Sequence, residues 1–269
     1  MITPIPKFAV TTLDRAFGSH EVAIMWTHLP SCDIGVKGSF RGRGMKQDLD
    51  EVLWKGAREL GVELSEEKVK AFEFFLEELM RWNRKMNLTS VRSPFEIVVK
   101  HFLDSLTVSP YLSQGCSLVD IGSGAGFPCI TLKISDPSLK VTSIDSSKKK
   151  LSFQRHLIRR LNLEGVDAIH AHLPDPGIAD KFNKSFDYAL SRAFGSLGTF
   201  LRIAHPLIKD TGIIIAMKGK TMARGTSEET SIARMNLRLQ RVISFTLPFT
   251  DASRRLLFFA KKEPFSMKP

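Results

Sequence analysis

The segment Leu118-Val119-Asp120-Ile121-Gly122-Ser123-Gly124-Ala125-Gly126-Phe127-Pro128 constrains the fold more than any other part of the chain. A strand-length apolar run leads straight into glycines at alternate positions, which permit a tight turn and the close approach of a ligand to bare backbone. The spacing is G-x-G-x-G. A dinucleotide fingerprint wants G-x-G-x-x-G, and its last position falls on Phe127. No G-K-S or G-K-T follows, so a triphosphate has no lysine-bearing cradle. Asp145 ends the next expected strand, 23 residues after Gly122, where an acid can accept both hydroxyls of a ribose. Loop and acid together describe a nucleoside site.

After Tyr111, short apolar runs at 117–121, 141–144, 186–190 and 212–217 alternate with helical stretches, the pattern of a parallel sheet with crossover helices. The end differs, because 241–249 and 255–261 read as two strands joined by Thr250-Asp251-Ala252-Ser253, with no room for a helix between them. A terminal antiparallel hairpin is expected. Upstream, the spacing Val69, Phe72, Leu76, Leu79, widened by Phe75 and Met80, predicts an amphipathic helix from Ser65. Ser93-Pro94-Phe95-Glu96 has the form of a capping box with proline in the first turn, and predicts a helix from Pro94 to Leu106. His101 and Ser105 then lie one turn apart on one face, with Asp104 beside them.

Residues 1–44 have no clear period and end in the basic, glycine-rich run 38–44, a linker by composition. Met45 follows it directly and reads as the true start, the leading segment being upstream read-through or a disordered extension. An organelle transit peptide fits less well, since Asp14, Glu21 and Asp33 are unusual in one. The expected organisation is 1–44 as extension, 45–110 as a small helical region and 111–269 as the α/β domain.

Among 269 residues, 39 Lys and Arg face 28 Asp and Glu, a net charge of +11 that suits a polyanionic partner. Lys148, Lys149, Lys150, Arg155, Arg159 and Arg160 form one acid-free cluster, and Arg81, Arg84, Lys85 and Arg92 another. A charge run is usually a solvated face; here an RNA surface is the favoured reading. The longest apolar runs fall far short of the roughly 18 residues of a membrane span. Three scattered cysteines, Cys32, Cys116 and Cys129, suit neither a disulfide framework nor paired zinc ligands, and point to a reducing cytosol. The first residues lack a secretory signal, so no export is implied.

An aspartate before alternating glycines, with a C-terminal hairpin that supplies a seventh, antiparallel strand, resembles the Rossmann-like class I S-adenosylmethionine-dependent methyltransferases. The resemblance becomes specific in Arg81-Trp82-Asn83-Arg84-Lys85-Met86-Asn87-Leu88-Thr89-Ser90-Val91-Arg92, in His101-Phe102-Leu103-Asp104-Ser105, in Phe186-Asp187 with Ser191-Arg192-Ala193-Phe194, and in Ala216-Met217-Lys218-Gly219. In order and spacing these blocks resemble the RsmG family, also called glucose-inhibited division protein B, over residues 65–262. The resemblance implies methyl transfer from S-adenosylmethionine to N7 of one guanine in small-subunit ribosomal RNA. The expected partner is that RNA, free or within the assembled subunit, and the expected form is a cytoplasmic monomer. The resemblance also implies cofactor contacts at Gly122 and Phe127 in the glycine loop, at Asp145 for the ribose and at Leu173 and Pro174 near the adenine, and it puts Arg192 at the active-site mouth; Ser123, Gly124, Gly126 and Arg192 are expected to contact the cofactor as well. Lys149, Arg155 and Lys218 match basic family positions and are expected to hold RNA. One departure stands out: many relatives carry an arginine before the adenine-contact pair and an acid within it, where this chain has His172 and then Leu173-Pro174.

The residues themselves agree with N7. The fourth strand ends in Leu190-Ser191-Arg192-Ala193 rather than the Asp/Asn-Pro-Pro-aromatic signature of amine methylation. A carbon-methylating enzyme needs a nucleophilic cysteine, and Cys129, in the helix that follows the loop, reads as a packed, inert thiol. Guanine N7 exposes a lone pair and carries no proton, so its methylation needs no general base. Arg192 is expected to orient the target nucleotide through O6 or a phosphate, because bidentate contact would occupy the attacking lone pair. Its structural alternative is a pairing with Asp187 or another carboxylate. His101 and Asp104 are expected to lock their helix against the sheet or border the pocket, with no chemical step. His170 and His172 share a strand face but have no third ligand, so no metal is expected. The rival functions are methylation of another RNA or a small molecule, and non-catalytic docking of a cofactor-binding protein on RNA or the ribosome.

Overall fold

The computed structural model describes residues 9–12, 22–25, 45–192, 195–219 and 235–262. Strands β1 (Ala9–Thr12) and β2 (Val22–Met25) form a short antiparallel pair inside the leading segment, which the sequence reads as without pattern. The glycine-rich run 38–44, and Ala193 and Phe194 of the motif after Ser191, lie outside the described residues.

Helix α1 (Met45–Glu59) is followed by α2 (Glu66–Met86), whose start is set by Ser65: its hydroxyl accepts from the Lys68 N–H, and Glu66 and Glu67 favour the positive end of the helix. Asn87, in the left-handed region at φ 49°, ends it. Val69, Phe72, Phe75, Leu76 and Leu79 are all buried, as the period requires.

The segment 94–106 is helical from end to end, as expected, but not uniformly. It runs as α3 (Pro94–Ile97), a π-helical stretch (Val98–Leu103) and α4 (Asp104–Leu106). Nor does the capping box form. The Ser93 hydroxyl makes no cap bond, and Glu96 pairs with Lys100 instead of reaching back. Proline at the first position has no N–H that needs an acceptor, so the start survives without it. A 3-10 turn (Ser109–Tyr111) leads into the sheet.

The remaining elements are β3 (Ser117–Ile121), α5 (Cys129–Ser135), β4 (Lys140–Asp145), α6 (Lys148–Arg160), β5 (Val166–His170), α7 (Pro176–Lys181), β6 (Phe186–Arg192), α8 (Leu197–Ala204), β7 (Ile208–Gly219), β8 (Leu237–Thr246) and β9 (Ser253–Lys261). Seven strands form one sheet in the order β5-β4-β3-β6-β7-β9-β8. The first five are mutually parallel; β9 runs antiparallel to both β7 and β8, so the last strand alone is reversed. The terminal hairpin is present, although its first strand ends at Thr246, because Phe249 takes φ 63° in the connection.

Helices cover both faces of the sheet. On one face α2 and the π-helical stretch lie against the core side chains of the sheet, and Phe72, Phe75, Phe102, Phe127 and Phe153 sit in the same apolar cluster as Leu118, Leu190, Ile215 and Phe258. The helical region therefore shares the sheet's core. Ring-to-ring contacts carry this packing: Phe75 stacks on Phe127 at 5.1 Å and lies 5.1 Å from Phe102 and 6.0 Å from Phe153. Among the described residues, no helix is long and apolar enough to cross a membrane.

Candidate active site

Parallel strands that all end at one edge bring their last residues together. Register sets those ends in rows. Asp120 pairs with Ser143 on one side and Leu190 on the other, and Leu190 continues to Ile215 and Phe258. The next row outward on the same face carries Asp145 from β4, the start of the glycine loop from β3, Arg192 from β6, Met217 from β7 and Leu256 from β9. Asp145 and Arg192, 47 residues apart in the chain, thus flank the loop.

The loop is held from below by backbone and by a buried polar brace. Gly122 and Ser123 donate N–H groups to Ile144 O at 2.8 and 3.3 Å, and Ser123 O accepts from Gly126 and Phe127. The Ser123 side chain faces inward: its hydroxyl lies 2.6 Å from Ser143 Oγ and accepts from Gln154 Nε2, which also donates to Gly124 O at 2.7 Å. Gln154 is fully buried, and nothing in the sequence singles it out, since one glutamine in a basic helix carries no pattern. The Ser123 hydroxyl is thus committed to this brace, and its backbone groups to the turn.

Two glycines need their lack of a side chain for different reasons. Gly124 has φ 60°, and a Cβ there would meet nothing within 4 Å, so it borders open space. Gly126, at φ 97°, would place a Cβ 2.6 Å from Ile130 Cγ1, so the loop can turn into α5 only because nothing is there. Asp145 is buried and holds the loop's outer edge: Oδ2 accepts from Gly124 N–H at 2.8 Å and Oδ1 from Ser147 N–H at 2.7 Å. Each carboxylate oxygen keeps a further lone pair for a ligand hydroxyl.

Asp120 lies beneath this row, fully buried. Oδ2 accepts from Cys129 N–H at 3.1 Å, so the loop closes over the carboxyl where α5 begins, while Oδ1 has no partner among the described residues. Burial pushes this carboxyl up to about 7. Burial also drives the Cys129 thiol well above its ordinary value, which fits the inert reading of that residue.

The opposite side of the cleft is built around Arg192. Its Nη1 donates to Lys100 O at 3.0 Å and faces Asp104 Oδ2 at 3.4 Å, its Nη2 donates to His101 Nδ1 at 3.1 Å, and its guanidinium lies 5.2 Å over the Phe127 ring. The π-helical turn makes the first of these bonds available. The Asp104 N–H goes to Val99 O and His101 O, passing over Lys100 O, its normal partner four residues back. A guanidinium only donates, so His101 Nδ1 accepts and Nε2–H is left to donate to Thr89 Oγ1 at 2.8 Å. Burial, with the positive Arg192 beside it, lowers His101 to about 3, and the imidazole is neutral. Its ring stacks on Phe127 at 4.6 Å. Asp104 also accepts from Arg254 Nε at 2.8 Å, which ties the C-terminal hairpin to the same carboxylate. Asp187 is not the partner of Arg192. It serves Lys209 at 2.7 Å and the Ser117 N–H and hydroxyl, which hold it down at about 2.

The remaining expected positions spread along the rim. His170 pairs in register with Asp145, so Leu173 and Pro174 follow just beyond the strand beside the acid. His172 is exposed, edge-on to His170 at 5.5 Å, and already past the end of β5. Among the described residues no group of three or more His, Cys, Asp or Glu is placed to hold a metal. Lys149 and Arg155 are exposed on α6, Arg155 donating to Ala168 O at 2.8 Å, whereas Lys218 lies beside Arg255 on the sheet face opposite Arg192. The two basic clusters adjoin, since Trp82 of α2 contacts Phe153 and His156 of α6, and Glu78 of α2 takes His156 Nε2 at 2.6 Å. Arg254 and Lys100 O were not anticipated from sequence, because neither a lone arginine in a hairpin nor a carbonyl freed by a π turn leaves a pattern.

A doubly wound sheet with only its last strand reversed, and a G-x-G-x-G loop flanked by an acid at the end of the neighbouring strand, defines the Rossmann-like methyltransferase class. Residues 68–257 match the family model described as rRNA small subunit methyltransferase G (GidB), and the chain belongs to that family. The ribosomal RNA small subunit methyltransferase G of Geobacter metallireducens is 40% identical over 223 residues, covering 81% of this chain and 99% of that protein. Its counterpart in Geobacter sulfurreducens is 42% identical over 211 residues, covering 77% and 94%. That of Acetivibrio thermocellus is 34% identical over 214 residues, covering 79% and 88%.

Proposed function

We propose that this chain transfers a methyl group from S-adenosylmethionine to N7 of a single guanine in small-subunit ribosomal RNA. The observation that carries the reading is the row in which Asp145 and Arg192 flank the glycine loop, with open space over Gly124. The residues fit the cofactor: Gly122, Gly124 and Gly126 with Phe127 seat it, Ser123 braces the loop from within, Asp145 accepts the ribose hydroxyls, and Leu173 and Pro174 flank the adenine. Bound there, S-adenosylmethionine supplies an electrophilic methyl on a positively charged sulfur.

The groups around the cleft support a nitrogen that needs no deprotonation. His101 has its Nδ1 lone pair committed to Arg192, and Asp104 is shared between two arginines. Neither is free to take a proton from a substrate. The protein's task is then to hold the base in line with the methyl, and positioning of that kind can be worth about 7–11 kcal/mol. Arg192 retains Nε–H and one Nη2–H without a partner among the described residues, and these can reach guanine O6 or a phosphate. Lys149, Arg155 and Lys218 hold the RNA backbone. We further propose that the enzyme acts as a monomer in the cytoplasm.

Incubation with labelled S-adenosylmethionine and small subunits lacking the modification tests the reading. Label at N7 of one guanine is expected. Label in another RNA, at another atom, or binding without transfer would replace it by one of its rivals.

A further inference from the structure

We infer that Asp120 is the residue by which the site discriminates the positively charged methyl donor from its demethylated product, ionising as the donor binds and giving its proton to solvent. The inference rests on the cofactor reading above and concerns a residue that reading leaves without a role.

The geometry is that of a buried acid with capacity to spare. Asp120 is fully buried on the sheet face that carries the site, one row beneath Asp145 and Arg192, and the glycine loop closes over it from Ile121 to Cys129. Oδ2 takes the Cys129 N–H, and among the described residues Oδ1 has no partner. An ionised carboxylate without full compensation is costly in such a place, so burial favours the neutral acid. The neighbours that bear on it are few. The Cys129 hydrogen bonds and the charge of Arg192 pull the carboxyl down, and Asp145 pushes it up. Arg192 is in turn shared with Asp104. Burial dominates, and with the carboxyl at about 7 the acid is about half protonated near neutrality.

The donor brings one positive charge more than the product into the row directly above. In a low-dielectric site a new cation favours the ionised form of a nearby acid. Donor binding therefore draws the proton off, and loss of the sulfonium charge after transfer lets it return. Two other titratable groups nearby do not confuse the signal: Cys129, which bonds Asp120, is raised, and His101, which bonds Arg192, is lowered to about 3, so neither changes charge between pH 6 and 8.

The experiment is titration calorimetry of the full chain with S-adenosylmethionine and, separately, S-adenosylhomocysteine, at pH 6, 7 and 8 in buffers of different ionisation heat. The sulfonium also lowers the donor's own α-amino pKa relative to the product's, so the Asp120→Asn protein supplies the baseline for that titration. Donor affinity should rise about tenfold from pH 6 to pH 8 relative to product affinity, with about half a proton released per donor at pH 7. Asp120→Asn, which keeps an acceptor for Cys129 N–H, should abolish this rise and leave only the ligands' own titration. Infrared difference spectra of the unmutated protein give a second readout that needs no variant. The donor should remove a carboxylic-acid C=O band that the product leaves in place. Identical pH profiles for the two ligands, an unchanged ratio profile in a folded Asp120→Asn protein, or no acid band to lose would each overturn the inference while leaving the cofactor reading intact. Failure of the unmutated protein to bind either ligand would overturn both.

Discussion

The two sides of the cleft are built in opposite ways. On the Asp145 side, one continuous stretch, 118–147, supplies strand, loop, second strand and acid, and the loop is fixed by N–H groups aimed at carbonyls and at one carboxylate. On the Arg192 side, the guanidinium is held by residues from the π-helical segment, α4 and the glycine loop, and the C-terminal hairpin reaches it through the shared carboxylate. The first wall is local and made of backbone; the second is assembled from distant parts and made of charge. A local wall can be damaged for binding while the protein stays folded. A charge-built wall cannot lose its central anion without exposing two cations to an apolar surrounding.

The largest expected effect follows from that contrast. Asp104→Ala leaves Arg192 and Arg254 without their shared carboxylate and should cost about 3–5 kcal/mol in denaturant unfolding. Asp145→Ala removes acceptors from Gly124 and Ser147 N–H, should cost only about 2 kcal/mol, and should abolish measurable cofactor binding. Equal losses of stability would erase the distinction between the walls.

Within the local wall, two glycines should separate stability from binding. Gly126→Ala meets Ile130 as well as an unfavourable φ, and should destabilise by about 2–3 kcal/mol. Gly124→Ala carries only the backbone cost, about 1–2 kcal/mol, yet projects a methyl into the space proposed for the cofactor. Its dissociation constant should therefore weaken more than its melting temperature suggests.

The pH dependence of stability sharpens the comparison from the other side. His101 titrates lower in the folded state than unfolded, so its contribution is present above pH 6.5 and is lost as the pH falls toward 3. Asp120 titrates higher when folded, so its burial costs stability as the pH rises from 3.8 to about 7. Between about pH 4 and 6.5 the two slopes oppose one another, and their combined contribution should be nearly flat. Asp120→Asn removes one of them, and the variant's stability should then fall by about 1 kcal/mol for each unit of acidification in that window. A profile parallel to that of the unmutated protein would show that the two groups do not offset.

The smallest effect belongs to the rim. Lys149→Ala should weaken RNA binding modestly, leave cofactor affinity unchanged, and lower the slope of log affinity against log salt by about one. An unchanged slope would place Lys149 on a solvated face and away from the RNA.

Much of this was legible in the chain itself. The strand run into alternating glycines, the acid at the end of the following strand, the period of Val69 to Leu79 and the terminal hairpin all depend on neighbours in sequence, because turn sterics, helical period and strand alternation are set over a few residues. Where the reading fell short, a longer-range partner had intervened. The helix at 94–106 is interrupted by a π turn that frees Lys100 O for Arg192, and the capping box gave way because Glu96 found Lys100. Arg192 could be placed at a strand end from sequence, but Asp187, near it in the chain, lies far nearer the opposite end of β6 and serves Lys209, whereas Asp104 comes 88 residues earlier. Sequence thus determined the loop, the sheet and the family to which the chain belongs. Tertiary structure alone decided which carboxylate neutralises which arginine, that Ser123 turns inward to Gln154, and that Asp120 is buried with an oxygen left over. Those outcomes depend on which side chains are excluded from water together, and that is fixed only when distant segments pack against one sheet face.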